Sequence, residues 1–252
     1  MNLDLKNKIV LLTGGTGEIG KQICLDFIQE DARVICLYRN EEKFKLLKNW
    51  IDEKKGNSEQ VFGYKCDLLN KDMLQKTVSE IETEFKRIDV LVNCAGQAAE
   101  YPFAMMEERH LHDMIDQNFL TVMLVTQSVL KTMFRQKSGA IVNISSVASS
   151  KAGRGIVVYA SAKSAVDTFT RTLAQEVGKK NIRVNAIRPG AVKTPMSKAL
   201  EDRASQKLND QIILGRIGTP EEISKAVLFL SSEKTSSYIT GTTLDIDGGL
   251  MY

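Results

Sequence analysis

Tyr159 and Lys163 are the residues whose types and spacing point most directly to chemistry. On a helix, residues four apart lie on one face, so a phenol and an ammonium could act on the same reacting group. A tyrosine normally titrates near ~10. A lysine charge ~5 Å away, at an effective dielectric constant of ~20, stabilises the phenolate by roughly 3 kcal/mol. The spacing predicts a tyrosine with a lowered pKa that donates a proton, although Tyr-x-x-x-Lys alone is a loose pattern that chance also produces.

The composition is that of a soluble globular protein, with 43% hydrophobic and 26% charged residues among 252. A net charge of +3 gives no argument for a nucleic-acid or membrane partner. No apolar run has membrane-spanning length, and the N-terminus lacks the apolar core of a signal peptide. The cysteines are scattered without a Cys-x-x-Cys pair, which favours buried free thiols. We therefore expect a cytoplasmic protein.

Apolar strand-like runs alternate with amphipathic helical stretches along the chain. Buried strands are predicted at 9–12, 34–37, 61–66, 89–92, 140–144, 183–187 and 243–246, and Asn40 is predicted to cap the helix that follows the second strand. Continuous apolar strands between helices predict an α/β protein, a Rossmann-type doubly wound parallel sheet with helices on both faces. Residues 1–252 show no repeat or linker, so we expect one domain. Ligands bind such sheets beyond the carboxyl ends of their strands.

A glycine-rich turn at residues 13–20 lies between the first strand and its helix. Gly15, Gly17 and Gly20 match the G-x-G-x-x-G dinucleotide fingerprint. Glycines let the backbone approach a pyrophosphate, whose charge the helix N-terminus stabilises. The turn therefore predicts a nicotinamide dinucleotide site.

The end of the second strand bears on the choice of dinucleotide. NAD enzymes place an acid there, whereas this chain has Tyr38 and Arg39. A guanidinium suits a 2′-phosphate, so NADP(H) is preferred, with NAD(H) possible because Glu41 and Glu42 follow closely.

These motifs together resemble the short-chain dehydrogenase/reductase family over nearly the whole chain. The residues that carry the resemblance are 13–20, Asp67, 93–96, Asn118, Ser146, Tyr159, Lys163, 189–194, 238–241 and 247–249. The resemblance implies a catalytic set in which Tyr159 donates the proton and Lys163 lowers its pKa and holds the nicotinamide ribose. Ser146 would hydrogen-bond the substrate oxygen, with Ser145 as an adjacent competitor, and Asn118 would anchor a water in a proton relay.

The resemblance also implies a set of dinucleotide contacts. They are Gly14, Gly15, Thr16, Gly17, Ile19, Gly20, Tyr38, Arg39, Asp67, Leu68, Asn93, Ala95, Gly96, Tyr159, Lys163, Pro189, Gly190, Val192 and Thr194. Two positions depart from the family pattern. Glu18 replaces a glycine and would repel a phosphate, so we expect it to point away, and Cys94 replaces an asparagine.

The substrate cleft is expected between residues 97–106, 149–158 and 195–214. The last stretch has Met196, Ala199 and Leu200 at helical spacing, which could form a lid or simply pack. The overall resemblance is greatest to 3-oxoacyl-acyl-carrier-protein reductases, which use basic residues near the cleft to receive the acidic carrier. The matching residues are Arg135, Lys137, Lys179 and Lys180, and solvated loop charge is the alternative. The family also implies a homotetramer. His110 and His112 lack partner ligands, so no metal site is expected.

Three functions remain open from the sequence. The first is NADPH-dependent reduction of a 3-oxoacyl thioester on a carrier protein. The second is oxidoreduction of another carbonyl or alcohol, such as a sugar, polyol, steroid or small ketone. The third is a catalytically silent nucleotide-binding module, against which the intact catalytic set argues. Substrate choice depends on the variable loops, so the sequence does not decide between the first two.

Overall fold

A computed structural model describes residues 3–151, 153–194 and 209–250. The strands are β1 (Ile9–Thr13), β2 (Arg33–Tyr38), β3 (Val61–Lys65), β4 (Val90–Asn93), β5 (Gly139–Ile144), β6 (Ile182–Pro189) and β7 (Thr243–Ile246). The helices are α1 (Glu18–Gln29), α2 (Glu41–Glu53), α3 (Lys71–Phe85), α4 (Glu108–Ile115), α5 (Thr121–Gln136), α6 (Val157–Val177), α7 (Pro220–Ser231) and α8 (Glu233–Ser236). The predicted strands all form, with ends that shift by one or two residues.

The strands pair in the order β3-β2-β1-β4-β5-β6-β7, and every pair is parallel. The chain runs outward from β1 in one direction, then crosses to β4 and runs outward in the other. A crevice therefore opens between the carboxyl ends of β1 and β4, where doubly wound sheets bind ligands. The fold class predicted from the sequence is confirmed.

Two apolar layers cover the sheet. Alternate strand residues such as Val10 and Leu12 pack with α1, α2 and α7, while Ile9 and Leu11 pack with α3, α5 and α6. Because both faces are buried, the strands are apolar throughout rather than alternating with polar residues. Polar side chains are therefore concentrated where strands end. Asn40 caps α2 as predicted, accepting a hydrogen bond from the Lys43 amide at 3.0 Å. Within the described ranges, no helix is long and apolar enough to cross a membrane.

Candidate active site

The glycine turn between β1 and α1 folds back on itself without room for side chains. Gly14 has a φ of +70°, and a Cβ atom there would lie 2.7 Å from the Ala95 backbone nitrogen. A Cβ atom at Gly20 would lie 2.1 Å from the Gly14 carbonyl oxygen. Gly17 is the N-cap of α1, so no side chain covers the first amides of the helix. The turn thus presents bare backbone and a helix N-terminus to the crevice, which fits a pyrophosphate.

Thr13 holds this turn against the end of β4. Its side chain is 2% exposed, and its Oγ1 atom accepts hydrogen bonds from the Cys94 and Ala95 amides, both at 3.1 Å. Sequence reasoning assigned it no role, although a hydroxyl at the end of an apolar strand was the available signal. It joins the two turns that border the crevice.

Glu18 forms an ion pair with Lys21, one turn further along α1, at 2.7 Å. The Lys21 Nζ atom lies 4.8 Å from the centre of the Trp50 ring on α2. The carboxylate is therefore directed along α1 toward α2 and its charge is partly neutralised. This arrangement supports the expectation that Glu18 points away from the phosphates.

The end of β2 carries charges of both signs. The Tyr38 hydroxyl donates to the Glu41 carboxylate at 2.5 Å, and the Tyr38 ring stacks on Phe44 with centroids 4.6 Å apart. The Glu41 hydrogen bond is the main cause that raises the pKa of Tyr38 to about 12. Arg39 is exposed and forms no ion pair within the described part of the chain. A free guanidinium thus lies near a carboxylate that Tyr38 holds in place.

The residues predicted to contact the dinucleotide after β3 and β4 have side chains that are bonded or buried within the protein. The Asp67 carboxylate accepts a hydrogen bond from the Leu69 amide at 3.1 Å, while the Leu68 side chain is buried in the core. The Asn93 side chain is also buried, and it donates to Thr126 at 3.0 Å and Asn143 at 2.9 Å. Asn93 therefore ties β4 to α5 and β5, so its side chain is structural.

Gly96 separates two predicted catalytic side chains. A Cβ atom at this position would lie 2.8 Å from Asn118 Oδ1 and 3.3 Å from Lys163 Nζ. Only a glycine lets both groups approach the turn that follows β4. Lys163 and Asn118 are distant in the sequence, and they meet at this turn.

Asn118 lies in a π-helical turn, Asp116–Leu120, that joins α4 to α5. Its side chain is fully buried, donates to the Gln97 and Met114 carbonyls at 2.8 and 2.9 Å, and accepts from the Gln97 amide at 3.1 Å. π-Helical turns are rare in proteins, and those that occur often lie at functional sites. Here the turn fixes Asn118 against the chain segment that leaves β4.

The two candidate serines after β5 point in different directions. The Ser145 hydroxyl is buried and donates to the Lys163 carbonyl at 3.2 Å. Ser146 is the N-cap of a short 3₁₀ turn, Val147–Ser149, and its Oγ atom accepts from the Ala148 amide at 3.2 Å. The Ser146 side chain also interacts with the Tyr159 hydroxyl and lowers the pKa of that group. The structure therefore pairs Ser146, and not Ser145, with the tyrosine.

Tyr159 and Lys163 lie one turn apart on α6, as the spacing predicted. The Lys163 side chain is buried, and its Nζ atom donates to the Ile144 carbonyl at 2.9 Å and lies 5.9 Å from the centre of the Tyr159 ring. Ser146, Tyr159, Lys163 and Asn118 thus surround the carboxyl ends of β4 and β5. All four predicted catalytic residues are brought together.

The electrostatics of the pair differ from the expectation based on spacing. Burial raises the pKa of Tyr159, and the interaction with Ser146 only partly opposes this. Burial also lowers the pKa of Lys163 to about 8, against the attraction of Cys94 and Asp167. The predicted lowering of the tyrosine pKa is therefore wrong for the protein chain alone, because burial disfavours the charged phenolate. Burial raises the pKa of Cys94 to about 12, so its thiol is neutral.

The end of β6 forms the next wall of the crevice. The Gly190 amide donates to the Ile246 carbonyl at 3.0 Å, and a Cβ atom at Gly190 would lie 2.7 Å from Asp247 Cα. Val192 is buried and pairs with Gly218 in a parallel bridge. Pro189 is the last residue of β6, and Thr194 is the last residue of the described range 153–194.

The predicted lid falls mostly outside the described residues. Met196, Ala199 and Leu200 all lie there. Of the apolar run that follows, Ile212 is buried, whereas Ile213 and Leu214 are 69% and 65% exposed. These two exposed side chains lie beside the 247–250 turn that follows β7, with which their backbone amides are hydrogen-bonded.

The basic residues predicted to receive a carrier protein lie near the amino-terminal ends of the strands, opposite the candidate active site. Lys137 precedes β5, and Lys179 and Lys180 form the 3₁₀ turn Gly178–Lys180 before β6. Arg135 pairs with Glu82 at 2.9 Å. A strand of six residues rises ~3.3 Å per residue. Residues that precede such a strand therefore lie about 20 Å from those that follow it. The expectation that these residues adjoin the cleft of their own chain is therefore wrong.

The histidines take part in side-chain contacts. His110 stacks on Tyr101 with ring centroids 5.3 Å apart, and His112 lies 3.7 Å from Glu108. Among the described residues, no group of histidine, cysteine and carboxylate side chains could hold a metal ion.

Comparisons with known proteins agree with this geometry. The family described as "Enoyl-(Acyl carrier protein) reductase" matches residues 15–251. The 3-oxoacyl-[acyl-carrier-protein] reductase of Thermotoga maritima is 38% identical, over 98% of this chain and 99% of its own length. The acetoacetyl-CoA reductase of an Acinetobacter species is 36% identical, over 97% of this chain and 98% of its own.

A solved structure extends the comparison. A single-residue variant of actinorhodin polyketide ketoreductase, crystallised with NADPH, superposes with a TM-score of 0.90 at 27% identity and covers 97% of both chains. The parallel sheet, the glycine turn and the Ser146–Tyr159–Lys163 arrangement occur together with these full-length matches. The chain belongs to the short-chain dehydrogenase/reductase family.

Proposed function

We propose that this chain is an NADPH-dependent reductase that converts the ketone of a 3-oxoacyl thioester, carried on an acyl carrier protein, to a secondary alcohol. The observation that carries the proposal is that Ser146, Tyr159 and Lys163 meet at the crevice that the glycine turn borders. The names of the Thermotoga and Acinetobacter relatives favour a 3-oxoacyl thioester among the ketones.

The residues present fit a nicotinamide dinucleotide. The bare backbone at Gly14, Gly15 and Gly20 leaves a cradle that Cβ atoms would fill, and the N-terminus of α1 meets it. Gly96 and Gly190 are likewise closed to side chains on the path toward Tyr159. When bound, the dinucleotide supplies the hydride that the protein itself lacks.

The choice of NADP(H) rests on the end of β2. The exposed guanidinium of Arg39 suits a 2′-phosphate, which it can hold through two hydrogen bonds. Glu41 opposes that phosphate by its charge and can accept hydrogen bonds from ribose hydroxyls. We therefore propose a preference for NADP(H) that is incomplete, with NAD(H) also accepted.

The catalytic residues act on the carbonyl oxygen of the substrate. Negative charge develops on that oxygen during reduction, and the Ser146 and Tyr159 hydroxyls stabilise it by hydrogen bonding. The Tyr159 Oη atom then gives up its proton to the oxygen, which typically contributes a factor of ~10²–10⁴. The Lys163 charge favours the phenolate that remains. Asn118, whose side chain adjoins Lys163 at Gly96, anchors the path by which the proton is replaced.

The cleft side chains favour an acyl substrate over a sugar or polyol. In the predicted substrate segment, Tyr101, Phe103 and Met105 are 40%, 56% and 78% exposed. Apolar side chains exposed next to a catalytic site are suited to bind an acyl chain or a thioester arm. The relative named acetoacetyl-CoA reductase makes a coenzyme A thioester the second candidate substrate.

Carrier binding is proposed together with a homotetramer. Lys137, Lys179 and Lys180 lie at the edge of the sheet opposite the catalytic residues of their own chain. We propose that they, with Arg135, receive the acidic carrier for the site of a neighbouring copy, which the tetramer brings within reach. A cytoplasmic location belongs to the same proposal, and the buried free thiols of Cys24, Cys36 and Cys66 suit a reducing compartment.

The test is a substrate panel that follows NADPH and NADH oxidation with acetoacetyl-carrier-protein, acetoacetyl-CoA, small ketones and sugars. Thioesters should react fastest, and NADPH should be preferred. Tyr159→Phe should lose most turnover, by a factor of ~10²–10⁴, while NADPH still binds. Tyr238→Phe, at a fully exposed tyrosine, is the matched control and should behave as wild type. Strong activity on a sugar with none on either thioester would eliminate the proposed substrate.

A further inference from the structure

The 3₁₀ turn that carries Ser146 is held from two sides. On one side, the Ser164 hydroxyl of α6 donates to the Ser149 carbonyl at 2.8 Å. On the other side lies the turn that follows β7, residues 247–250, which here is called the C-terminal turn. Tyr159 also lies on α6, so the hydrogen bond from Ser164 holds the 3₁₀ turn close to Tyr159.

An ion pair joins the second side. Lys151 Nζ donates to Asp247 Oδ2 at 2.8 Å and also to the Leu250 carbonyl. The two side chains are only 24% and 10% exposed. The other oxygen of Asp247 accepts from the Gly249 amide at 2.9 Å, which fixes the carboxylate within the C-terminal turn. The Lys151 interaction lowers the pKa of Asp247 despite its burial. This is a largely buried pair between segments 96 residues apart in the chain.

A small apolar cluster lies between the same two segments. It contains Val147, Ile212, Ile217 and Leu250, all less than 9% exposed. Val147 is the residue directly after Ser146, and Ile212 pairs with Leu250 in an antiparallel bridge. The cluster is separate from the two apolar layers that cover the sheet.

We propose that Lys151 and Asp247 are a positioning pair that holds the Ser146 hydroxyl beside Tyr159. Neither residue acts on the substrate itself. Breaking a largely buried pair leaves an uncompensated charge, which draws water in and separates the two segments. The 3₁₀ turn would then be held less firmly, by Ser164 and the apolar cluster alone, and Ser146 would lose its fixed orientation.

The test measures turnover and rests on the proposed ketone reduction. Lys151→Met keeps the length of the side chain and removes its charge. We expect kcat to fall about tenfold, a change that corresponds to one lost hydrogen bond in the transition state, while the NADPH dissociation constant stays within about twofold. Lys151→Arg, which retains the charge, should keep most of the turnover. Arg216→Met is the matched control, because it breaks an ion pair with Glu222 that is 55% and 39% exposed, and its turnover should be unchanged.

A double-mutant cycle separates positioning from general structural damage. If Lys151 acts through Ser146, then Lys151→Met should cost less than about twofold in a Ser146→Ala background, because the group it positions is gone. An equal tenfold loss in both backgrounds, or no loss in the single variant, overturns the proposal.

A second measurement does not depend on the substrate. The Ala148 amide, which Ser146 holds, should exchange hydrogen faster in Lys151→Met than in wild type and at the wild-type rate in Arg216→Met. Unchanged exchange at Ala148 would also overturn the proposal. If the wild type reduces none of the panel ketones, the proposed function fails, and the exchange experiment still decides whether the pair holds the turn.

Discussion

Thr13 offers a test of how the two cofactor turns are joined. Thr13→Val replaces the hydroxyl by a methyl group of nearly the same shape, so packing in the sheet is retained. The variant loses the acceptor for the Cys94 and Ala95 amides. At ~1 kcal/mol net for each hydrogen bond, we expect a loss of about 2 kcal/mol in the free energy of unfolding. For a chain of this size that is a fall of about 4–8 °C in Tm.

The assay is urea unfolding at one fixed protein concentration, because any assembly would make the apparent stability depend on concentration. The released turn also carries Ala95 against Gly14, so the NADPH dissociation constant, measured by titration, should rise about tenfold. Thr13→Ser is the control. It keeps the acceptor and loses one buried methyl group, so it should lose ~1 kcal/mol of stability and bind NADPH normally.

The reasoning is refuted if Thr13→Val unfolds at the same urea concentration as wild type and binds NADPH equally well. That result would mean that water or another group satisfies the two amides. A loss of stability in Thr13→Ser as large as in Thr13→Val would instead assign the effect to packing and not to the hydroxyl.

Two further predictions concern the charges of the site. Glu41→Gln removes the carboxylate that Tyr38 holds near Arg39, so NADPH should bind about five- to tenfold more tightly relative to NADH in competition titrations. Glu42→Gln, in the same helical turn, is the control, and an equal gain there would contradict the role of Glu41. The pKa of Lys163 is lowered to about 8, below the ordinary value of 10.5 that applies to the unfolded chain. The unfolded chain therefore binds more protons between these values, and stability should rise with pH from about 8 to 10.5 relative to Lys163→Met, as measured by urea unfolding. A difference that does not vary with pH would contradict the lowered pKa.

The fold could be predicted because its signals are local. Strands buried on both faces are apolar along their whole length, and glycine, asparagine and charge patterns mark the helix ends. Asn40 illustrates this, since a cap needs only the residues that follow it. The pairing of β1 with β4 is not local, and the strand residues themselves do not indicate it.

The candidate site could be predicted less completely. Tyr159 and Lys163 follow from helical spacing, whereas the selection of Ser146 over Ser145 depends on which hydroxyl α6 buries. Thr13 and Asn93 act across strands, and no spacing in the sequence shows such contacts. The raised pKa of Tyr159 was not predicted, because the spacing of Tyr159 and Lys163 indicates the attraction of the lysine charge but not the burial of the tyrosine.

The position of the basic residues shows another limit. The family resemblance implied that Lys137 and Lys180 lie near the substrate cleft. In a parallel sheet, however, residues that precede a strand lie at the opposite end of the sheet from residues that follow it. The topology alone would have corrected this expectation.

The π-helical turn at Asp116–Leu120 makes the length of this stretch as important as its composition. Such a turn contains one residue more than a regular helical turn, and each residue rotates an α-helix by about 100°. Deleting a single residue there would let α4 and α5 join as one regular helix. Val125 and Val129 would still face the core, because the π turn holds its extra residue without additional rotation, whereas Asn118 would leave Gln97. A one-residue deletion in this stretch would therefore keep the core packing of α5 and still displace Asn118 from the site.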